Sequence, residues 1–319
     1  MAGSRVLVTG GAGFIGSHVS AALLQRGADV TVYDDLSLGR AERVPPGARL
    51  IVGDVLDPDA LRRALVGIDT VVHLAARVSI RASVGGFYED AQVNLMGTVN
   101  LLRVLGSGAV HSLVFASSMA VYADAERPEA IPETYRTEPI SPYGISKLAA
   151  EKYVLMMAPL LGVRAVALRY FNTYGPGQTY TPYVGVITIF VNRLLAGQPP
   201  TIFGTGDQQR DFISVHDVAA ATVAALDSPD ASGVFNVGTG RPTSVRTLAD
   251  LLITRLAPGL RPVHEAAQPG EVRNSVADID RARRLLGWAP TRTLPDSVDE
   301  ISEANRRLRA ETNVSPTPR

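Results

Sequence analysis

Three polar side chains near the middle of the chain have the types and spacing for acid–base chemistry at an alcohol. Ser118 ends an apolar segment that predicts a strand, and Tyr143 and Lys147 lie four residues apart in a segment that begins like a helix at Ser141. Residues four apart share one face of a helix, so the lysine ammonium would lower the pKa of the tyrosine from its usual value near 10. Tyr143 could then act as a base, with Ser118 hydrogen-bonded to the reacting oxygen.

A glycine motif at the start of the chain supplies the context for this chemistry. Residues 5–9 are apolar and β-prone, the apolar residues that follow recur at helical spacing, and the glycines fall at the turn between them. Gly10 would permit the tight turn, Gly13 would let a pyrophosphate approach the helix N-terminus, and Gly16 would let helix and strand pack closely. The alternative is an ordinary glycine-rich turn. The predicted cofactor contacts here are Gly10, Gly13, Phe14, Ile15 and Gly16.

An acidic pair after the second predicted strand bears on the choice of dinucleotide. A carboxylate at Asp34 or Asp35 suits the ribose hydroxyls of NAD and repels the 2′-phosphate of NADP, although Arg40 lies nearby and Asp35 could instead be a turn residue. The positive nicotinamide would add to the effect of Lys147 on Tyr143, and Lys147 could also hold the nicotinamide ribose. The further predicted cofactor contacts are Asp54, Val55, Leu74, Ala75, Ala76, Asn94 and Tyr170.

The composition excludes several classes of chemistry and partner. The 319 residues include 31 basic and 31 acidic side chains, so no net charge attracts nucleic acid or a membrane surface. The absence of cysteine rules out disulfides, thiol nucleophiles and cysteine metal sites, and the five histidines lack metal-ligand spacing. No apolar run reaches membrane-spanning length, and the start lacks a signal-peptide layout. We expect a cytoplasmic protein without a metal, nucleic-acid or membrane partner.

The order of predicted elements indicates the fold. Strands and helices alternate from residue 5 to about residue 170, which predicts an α/β fold with a Rossmann-type doubly wound parallel sheet and a smaller C-terminal substrate-binding lobe. We expect an NAD-binding domain at 1–172 to which segments at about 211–240 return, a mainly substrate-binding lobe at 173–310, and a flexible tail at 311–319. Loops that could reach or cover the site lie at 123–142, 175–185 and 197–210.

A series of motifs in a fixed order makes the chain resemble a known enzyme family. It resembles the extended short-chain dehydrogenase/reductases, and within them the nucleotide-sugar 4-epimerases such as UDP-galactose 4-epimerase, over roughly residues 4–309. The resemblance implies NAD as cofactor, a UDP-sugar or alternatively a dTDP-sugar substrate, and a homodimer built on helices near 94–105 and 142–157. The apolar faces of these helices could instead pack on the sheet. The motifs lie at 9–18, 73–76, 117–122, 141–147, 169–172, 174–177, 210–212, 215–217 and 269–273.

The two residues after Ser118 bear on which reaction of this family is implied. The family's 4,6-dehydratases carry an Asp-Glu pair here and its sugar-acid decarboxylases a glutamate, whereas this chain has Met119 and Ala120, which cannot transfer protons. Its 3,5-epimerases and fucose-forming enzymes use a cysteine, which this chain lacks. The resemblance therefore implies 4-epimerisation of a UDP-hexose, in which Tyr143 takes the proton of the 4-hydroxyl, hydride passes to NAD, the 4-keto sugar rotates, and hydride returns to its other face.

The second half of the chain is where this family holds the nucleotide. The resemblance implies that Asn172 and Arg210 contact the diphosphate, that Phe203 lies by the base, and that Arg273 adds a phosphate contact, a role suited to the bidentate guanidinium. Surface ion pairs are the alternative for the two arginines, and a core position is the alternative for Phe203. Many relatives have an arginine where this chain has Gln268, so Arg273 would act alone.

Ser275 bears on the choice of sugar. The resemblance places it at the pocket wall, where a bulky residue restricts relatives to plain hexoses and a serine leaves room for an N-acetyl group. An ordinary loop serine is the alternative, and the segment 183–190 also resembles bacterial epimerases of the broader kind. The predicted substrate contacts are Ser118, Met119, Asn172, Phe203, Arg210, Arg273 and Ser275.

Two alternatives to a 4-epimerase remain open. One is a different NAD-dependent reaction of a UDP or dTDP sugar at the same site: net 4-reduction, uronate decarboxylation or uronate 4-epimerisation. The other is a non-catalytic NAD-binding protein that kept the fold, and the presence of Ser118, Tyr143 and Lys147 weighs against it.

Overall fold

The strands of the computed structural model form where the sequence has short runs of apolar and β-branched residues. The structure describes residues 1–106, 109–125, 129–179, 185–267 and 272–313. The strands are β1 Arg5–Thr9, β2 Asp29–Asp34, β3 Arg49–Val52, β4 Thr70–His73, β5 Ser112–Ser118, β6 Arg164–Tyr170, β7 Asn172–Tyr174, β8 Thr201–Phe203, β9 Gln209–Arg210, β10 Phe212–Ser214, β11 Gly233–Val237, β12 Thr243–Ser244, β13 Val263–Glu265 and β14 Asn274–Ser275.

The helices alternate with these strands through the first half of the chain, as the sequence predicts. A π-helical turn at Gln92–Met96 joins two of them. The helices are α1 Phe14–Gln25, α2 Pro58–Ala64, α3 Ile80–Gly85, α4 Phe87–Ala91, α5 Gly97–Leu105, α6 Pro142–Leu160, α7 Val186–Leu195, α8 Val215–Asp227, α9 Val245–Leu256, α10 Asp280–Leu286 and α11 Leu294–Asn313.

The main sheet is parallel and doubly wound. In the described part of the chain it contains seven strands in the order β11-β6-β5-β4-β1-β2-β3. The strand order reverses between β1 and β4, and such a switch point is where open α/β sheets bind ligands beyond the carboxyl ends of their strands. The α/β Rossmann-type fold predicted from the sequence is therefore confirmed.

Both faces of this sheet are buried, which explains its continuous apolar strands. Along β1, Val8 faces a core shared with α1 and α8, whereas its neighbour Leu7 faces a core shared with α2, α5 and α6. Each fully buried side chain of this size contributes about 1.5–3 kcal/mol to folding. The two cores together hold the strand ends, and hence the site, in a fixed arrangement.

The C-terminal half divides between the sheet and a second core. The helix α8 packs on α1 and β11 pairs with β6, so residues after 211 return to the main sheet. The helices α7, α9 and α11 enclose a separate apolar cluster centred on Phe190, Leu248 and Val298. Short strand pairs β8–β13 and β9–β14 lie in this half of the chain. We propose that this second core is the substrate-binding lobe.

The last helix, α11, ends at Asn313, within the segment 311–319 for which the sequence analysis expects a flexible tail. Residues 314–319 lie outside the described residues. No helix of the described ranges combines the length and apolarity that a membrane span requires.

Candidate active site

The glycine turn between β1 and α1 is shaped by close backbone contacts. Gly10 has a φ of 69°, and a Cβ placed there would lie 2.7 Å from the backbone nitrogen of Ala75. A Cβ on Gly16 would lie 2.1 Å from the Gly10 carbonyl oxygen. Both positions therefore require glycine: the first for its backbone conformation and for the approach of the β4 exit, the second for the packing of α1 on the turn.

The N-terminus of α1 is suited to an anionic group. Gly13 is its N-cap and supplies no side-chain hydrogen bond to the first turn. A Cβ on Gly13 would meet only the Gly10 carbonyl, at 3.2 Å, so this glycine leaves space above the turn rather than relieving a severe clash. Phe14 and Ile15 begin the helix. Their uncapped N–H groups and the helix dipole fit a pyrophosphate in this cradle.

The acidic pair at the end of β2 separates into two roles. Asp34 is buried, and its carboxylate accepts from the backbone N–H groups of Ala12 at 3.0 Å and Leu36 at 2.9 Å. Burial raises its pKa, and these hydrogen bonds oppose the rise. Asp35 is exposed and accepts from the Ser37 backbone and hydroxyl, which is the turn role considered for it. Asp34 is therefore the carboxylate beside the glycine turn and fits an NAD ribose.

The remaining predicted cofactor residues are spread around the carboxyl edge of the sheet. Leu74, Ala75 and Ala76 leave β4 next to the glycine turn, where Leu74 N–H donates to the Thr9 carbonyl at 3.0 Å. Asp54 and Val55 follow β3; Asp54 is exposed, whereas Val55 is buried.

Two other predicted cofactor residues are committed to the protein itself. The Asn94 side chain is buried and pairs with both the N–H and the carbonyl of Arg77, at 2.8 and 3.0 Å, so it holds the loop after β4. The Tyr170 side chain lies in the core, with its hydroxyl 2.8 Å from the Thr222 hydroxyl. β6 turns this side chain toward α8, and the predicted contact of Tyr170 with the cofactor stays a prediction.

The three predicted catalytic side chains come together at the end of β5. The helix α6 begins at Pro142, and the Ser141 hydroxyl caps it by accepting from the Gly144 N–H at 3.1 Å. A Cβ on Gly144 would lie 2.2 Å from the Ala120 carbonyl oxygen, so glycine allows α6 to approach the β5 exit. This approach places Ser118 close enough to Tyr143 for its hydroxyl to lower the pKa of the tyrosine. The sequence analysis missed Gly144, although its place beside Tyr143 was visible.

Burial has the largest effect on the pKa values of Tyr143 and Lys147. It raises the pKa of Tyr143 to about 12; the Ser118 hydroxyl opposes the rise and the charge of Asp90 adds to it. The lower pKa that the sequence analysis expects from Lys147 and the nicotinamide together stays a prediction. The Lys147 ammonium lies 4.2 Å from the centroid of the Phe115 ring. Burial lowers the pKa of Lys147 to about 7, against the charges of Asp90 and Glu151.

A buried ion pair lies one helical turn beyond Lys147. Glu151 is fully buried and accepts two hydrogen bonds from Arg169, at 2.9 and 2.6 Å, and a third from the Ser117 hydroxyl at 2.6 Å. Burial alone would lower the pKa of Arg169, but the bond to Glu151 reverses the direction, so the arginine stays charged. This cluster ties α6 to β5 and β6, and no sequence pattern revealed it.

Several predicted substrate residues lie on or beside the short strands β7, β9 and β14. Arg210 and Ser275 are paired directly across β9 and β14, and the exposed Arg273 precedes β14. Asn172 is partly buried, with its side-chain amide donating to the Asp211 carbonyl at 3.1 Å. Residues 183–184, Gln268 and residues 269–271 lie outside the described residues.

Phe203 and Ser275 differ in how accessible they are. Phe203 ends β8, stays partly exposed, and carries the Arg81 guanidinium 5.9 Å from its ring centroid, so it is not a core residue. Ser275 is fully buried, and its hydroxyl has no hydrogen-bond partner among the described residues. The placement of Ser275 at the pocket wall stays a prediction.

The fold and this edge of the sheet define a class of protein: a Rossmann-type enzyme with a dinucleotide cradle and a serine–tyrosine–lysine group beside it. The described residues contain no group of three or more side chains able to hold a metal. The model of the NAD dependent epimerase/dehydratase family matches residues 6–238, and the chain belongs to that family. It is therefore an enzyme that uses NAD.

Individual proteins are similar to this chain over most of its length. A putative UDP-glucose 4-epimerase of Methanocaldococcus jannaschii is 36% identical over 93% of this chain and 96% of its own length. The UDP-glucose 4-epimerase of Thermotoga maritima, solved with UDP-glucose, is 36% identical and superposes with a TM-score of 0.91 over 95% of this chain and 99% of its own. The UDP-glucose 4-epimerase of Thermus thermophilus, solved with NAD, is also 36% identical. It superposes with a TM-score of 0.87 over 95% of this chain and 99% of its own.

Proposed function

We propose that this protein interconverts the 4-epimers of a UDP-hexose. The observation that carries the proposal is the grouping of Ser118 at the end of β5 with Tyr143 and Lys147 in the first turns of α6, at the same sheet edge as the glycine cradle. The similarity to UDP-glucose 4-epimerases over nearly the whole chain supports it.

The proposed mechanism assigns one task to each side chain. When bound, NAD would be held by the glycine turn and Asp34 and would supply a reversible hydride acceptor for C4 of the sugar. Tyr143 takes the proton of the 4-hydroxyl at its phenolic oxygen and gives it back, and Ser118 holds that oxygen by a hydrogen bond. Lys147 stabilises the tyrosinate by its charge. Because the protein alone raises the pKa of Tyr143, the ionised form requires the additional positive charge that the cofactor supplies.

The neighbours of Ser118 argue against reactions that eliminate water or carbon dioxide. Met119 packs against an apolar cluster with Tyr122 and Phe171, and Ala120 donates its backbone N–H to Ser118 at 3.2 Å. Neither side chain has a proton to exchange. A second acid or base is what dehydratases and decarboxylases require. The site thus supports oxidation and reduction at one carbon and little else.

The experiment that tests the proposal combines substrate choice with one variant. Purified protein is incubated without reductant with UDP-glucose, UDP-N-acetylglucosamine or UDP-glucuronate, and products are identified by NMR; a galacto product of unchanged mass is expected. Tyr143→Phe should retain NAD and lose at least about 99% of turnover. Tyr153→Phe removes an exposed hydroxyl from the same helix and should change neither.

Four outcomes would contradict the proposal, the last two in assays with added NADH or NADPH and with dTDP-glucose. Loss of water or carbon dioxide from any substrate would show a different reaction at this site. Turnover by Tyr143→Phe at close to the wild-type rate would show that the base lies elsewhere. Dependence on added NADH or NADPH would indicate a net reductase, and conversion of dTDP-glucose alone would change the proposed nucleotide.

The surface of α6 supports a homodimer as part of the proposal. One stripe of α6 exposes large apolar side chains: Ile145, Met156 and Leu160 expose 57, 68 and 73% of their surface. Phe87 on α4 is also exposed. The apolar residues of α5, in contrast, are buried against the sheet. The interface would thus use α6 and not the packed face of α5. Light scattering should give twice the chain mass, and Met156→Asp should give a monomer.

A further inference from the structure

The Lys147 ammonium is enclosed by other ionisable groups. Lys147 is 2% exposed and lies in the second turn of α6. The charges that act on it come from Asp90 on α4 and Glu151 on α6, and its own charge acts on His73 at the end of β4. A buried ammonium without a nearby negative charge would lose its proton, so the source of the balancing charge matters for the site.

Of Asp90, Glu151 and His73, two do not provide an unbalanced negative charge near Lys147. Glu151 forms a bidentate pair with Arg169, at 2.9 and 2.6 Å, so its charge is already balanced. His73 is held between the hydroxyls of Thr9 at 2.6 Å and Thr98 at 3.0 Å and is neutral, because burial lowers its pKa to about 3. The charge that remains near Lys147 is that of Asp90.

Asp90 is fixed with respect to α6 by hydrogen bonds to both of its oxygens. It is 2% exposed; the Ser146 hydroxyl donates to one oxygen at 2.5 Å and the Asn94 amide donates to the other at 3.0 Å. The Asn94 side chain in turn forms two hydrogen bonds with the backbone of Arg77. The charge of Arg77 favours the ionised form of Asp90, against the effect of burial, which raises the pKa of Asp90. Since Ser146 is the neighbour of Lys147 in the chain, this network sets α4, the π-helical turn and α6 in one register.

We propose that Asp90 is a positioning residue whose carboxylate supplies the counter-charge of the Lys147 ammonium through space. Its role in turnover rests on the proposed function, but its effect on Lys147 does not. Asp90 acts on the base as well, because its negative charge disfavours the ionised form of Tyr143. The charge of Asp90 thus raises the pKa of both groups: it keeps Lys147 protonated and makes Tyr143 harder to ionise.

The sign of the effect of removing this charge follows directly. Without a neighbouring negative charge both Lys147 and Tyr143 release protons more easily, so the pKa values of both groups fall. Turnover in the proposed mechanism needs an ionised tyrosine and a protonated lysine. Both limbs of a bell-shaped rate profile should therefore move to lower pH in Asp90→Asn.

The chain offers a direct readout of the lysine. It contains two lysines, Lys147 and the exposed Lys152, so lysine labelled with ¹³C and ¹⁵N gives two side-chain signals that Lys152→Arg assigns. The purified protein is titrated by NMR as wild type and as Asp90→Asn. The pKa of Lys147 should fall by about 1 pH unit or more, and the titration of Lys152 should not change.

Two further variants separate charge from structure. Asparagine at position 90 can keep both hydrogen bonds, because the Ser146 hydroxyl can accept as well as donate. Ser146→Ala removes a hydrogen bond of Asp90 but no charge, so the Lys147 pKa should stay close to that of the wild type. Glu89→Gln removes an exposed charge beside Asp90 and should alter neither the titration nor the rate profile.

The outcomes distinguish this inference from the proposed function. An unchanged Lys147 pKa in Asp90→Asn, or an equal fall in Ser146→Ala, would overturn the inference even if the wild type is an active epimerase. A fall confined to Asp90→Asn would establish it even if no UDP-hexose is converted. In an active enzyme, a rate profile of Asp90→Asn that keeps both limbs at their wild-type pH would also contradict it.

Discussion

Replacing Gly16 by alanine tests whether the fit between α1 and the glycine turn controls NAD binding. The new Cβ would lie 2.1 Å from the Gly10 carbonyl oxygen and 2.7 Å from the Gly11 Cα, both of which are backbone atoms that cannot rotate away. The contact to the oxygen must lengthen by more than about 1 Å to reach a normal separation. The N-terminus of α1 must therefore move away from the glycine turn that precedes it.

The size of the effect can be worked out in two parts. Overpacking of this kind costs about 1–3 kcal/mol of folding stability, which for a chain of this length lowers the melting temperature by roughly 2–6 °C. The displaced helix would also misalign N–H groups that bind a charged pyrophosphate, and such hydrogen bonds are worth about 1.5–3 kcal/mol each. Loss of one of them weakens NAD binding by about 10- to 150-fold.

The assay measures both quantities in protein stripped of nucleotide. Differential scanning calorimetry gives the melting temperature, and isothermal titration with NAD gives the dissociation constant. Gly13→Ala is the matched control for stability, because its Cβ would meet only one atom, at 3.2 Å. It should melt close to the wild type and still bind NAD weakly, since its methyl group occupies the cradle. Wild-type NAD affinity in Gly16→Ala would refute the reasoning.

Three other predictions concern stability and specificity. Glu151→Gln leaves the buried Arg169 unpaired and should cost about 3–5 kcal/mol in urea unfolding, whereas Glu138→Gln at an exposed pair should cost less than about 1 kcal/mol. Because burial lowers the pKa of His73 to about 3, the unfolded chain alone takes up its proton below pH 6.5. This group should then reduce stability by about 1.4 kcal/mol per pH unit as pH falls from 6.5 toward 3, a slope that His73→Asn should lack. Ser275→Tyr should depress turnover of UDP-N-acetylglucosamine at least about tenfold more than that of UDP-glucose; equal losses would dissociate Ser275 from sugar choice.

The positions of the glycine turn and of the α6 N-terminus follow from local sequence. Gly10 and Gly16 are constrained by the turn itself, and Ser141 followed by proline is a helix start whose capping bond the structure shows. These features depend on neighbours in the chain, which is why the sequence predicts them. The parallel, doubly wound sheet likewise follows from the alternation of strands and helices.

Other features depend on packing between distant segments. Both faces of β6 are buried, so the sequence gives no alternation of polar and apolar residues that would show Tyr170 turning toward α8 and Arg169 toward α6. Asp90 is a carboxylate in a helix and, from the sequence alone, is typical of an exposed position. Its proximity to Lys147 arises only when α4 packs on α6, which no local pattern encodes.

The most direct test of the proposed hydride transfer uses UDP-glucose carrying deuterium at C4. If the protein oxidises and reduces the same carbon with the same hydride, UDP-galactose should form with the deuterium still at C4, and a reaction run in D₂O with unlabelled substrate should place no deuterium there. Loss of the label to solvent or to free NAD, or deuterium incorporated at C4 from D₂O, would contradict the account.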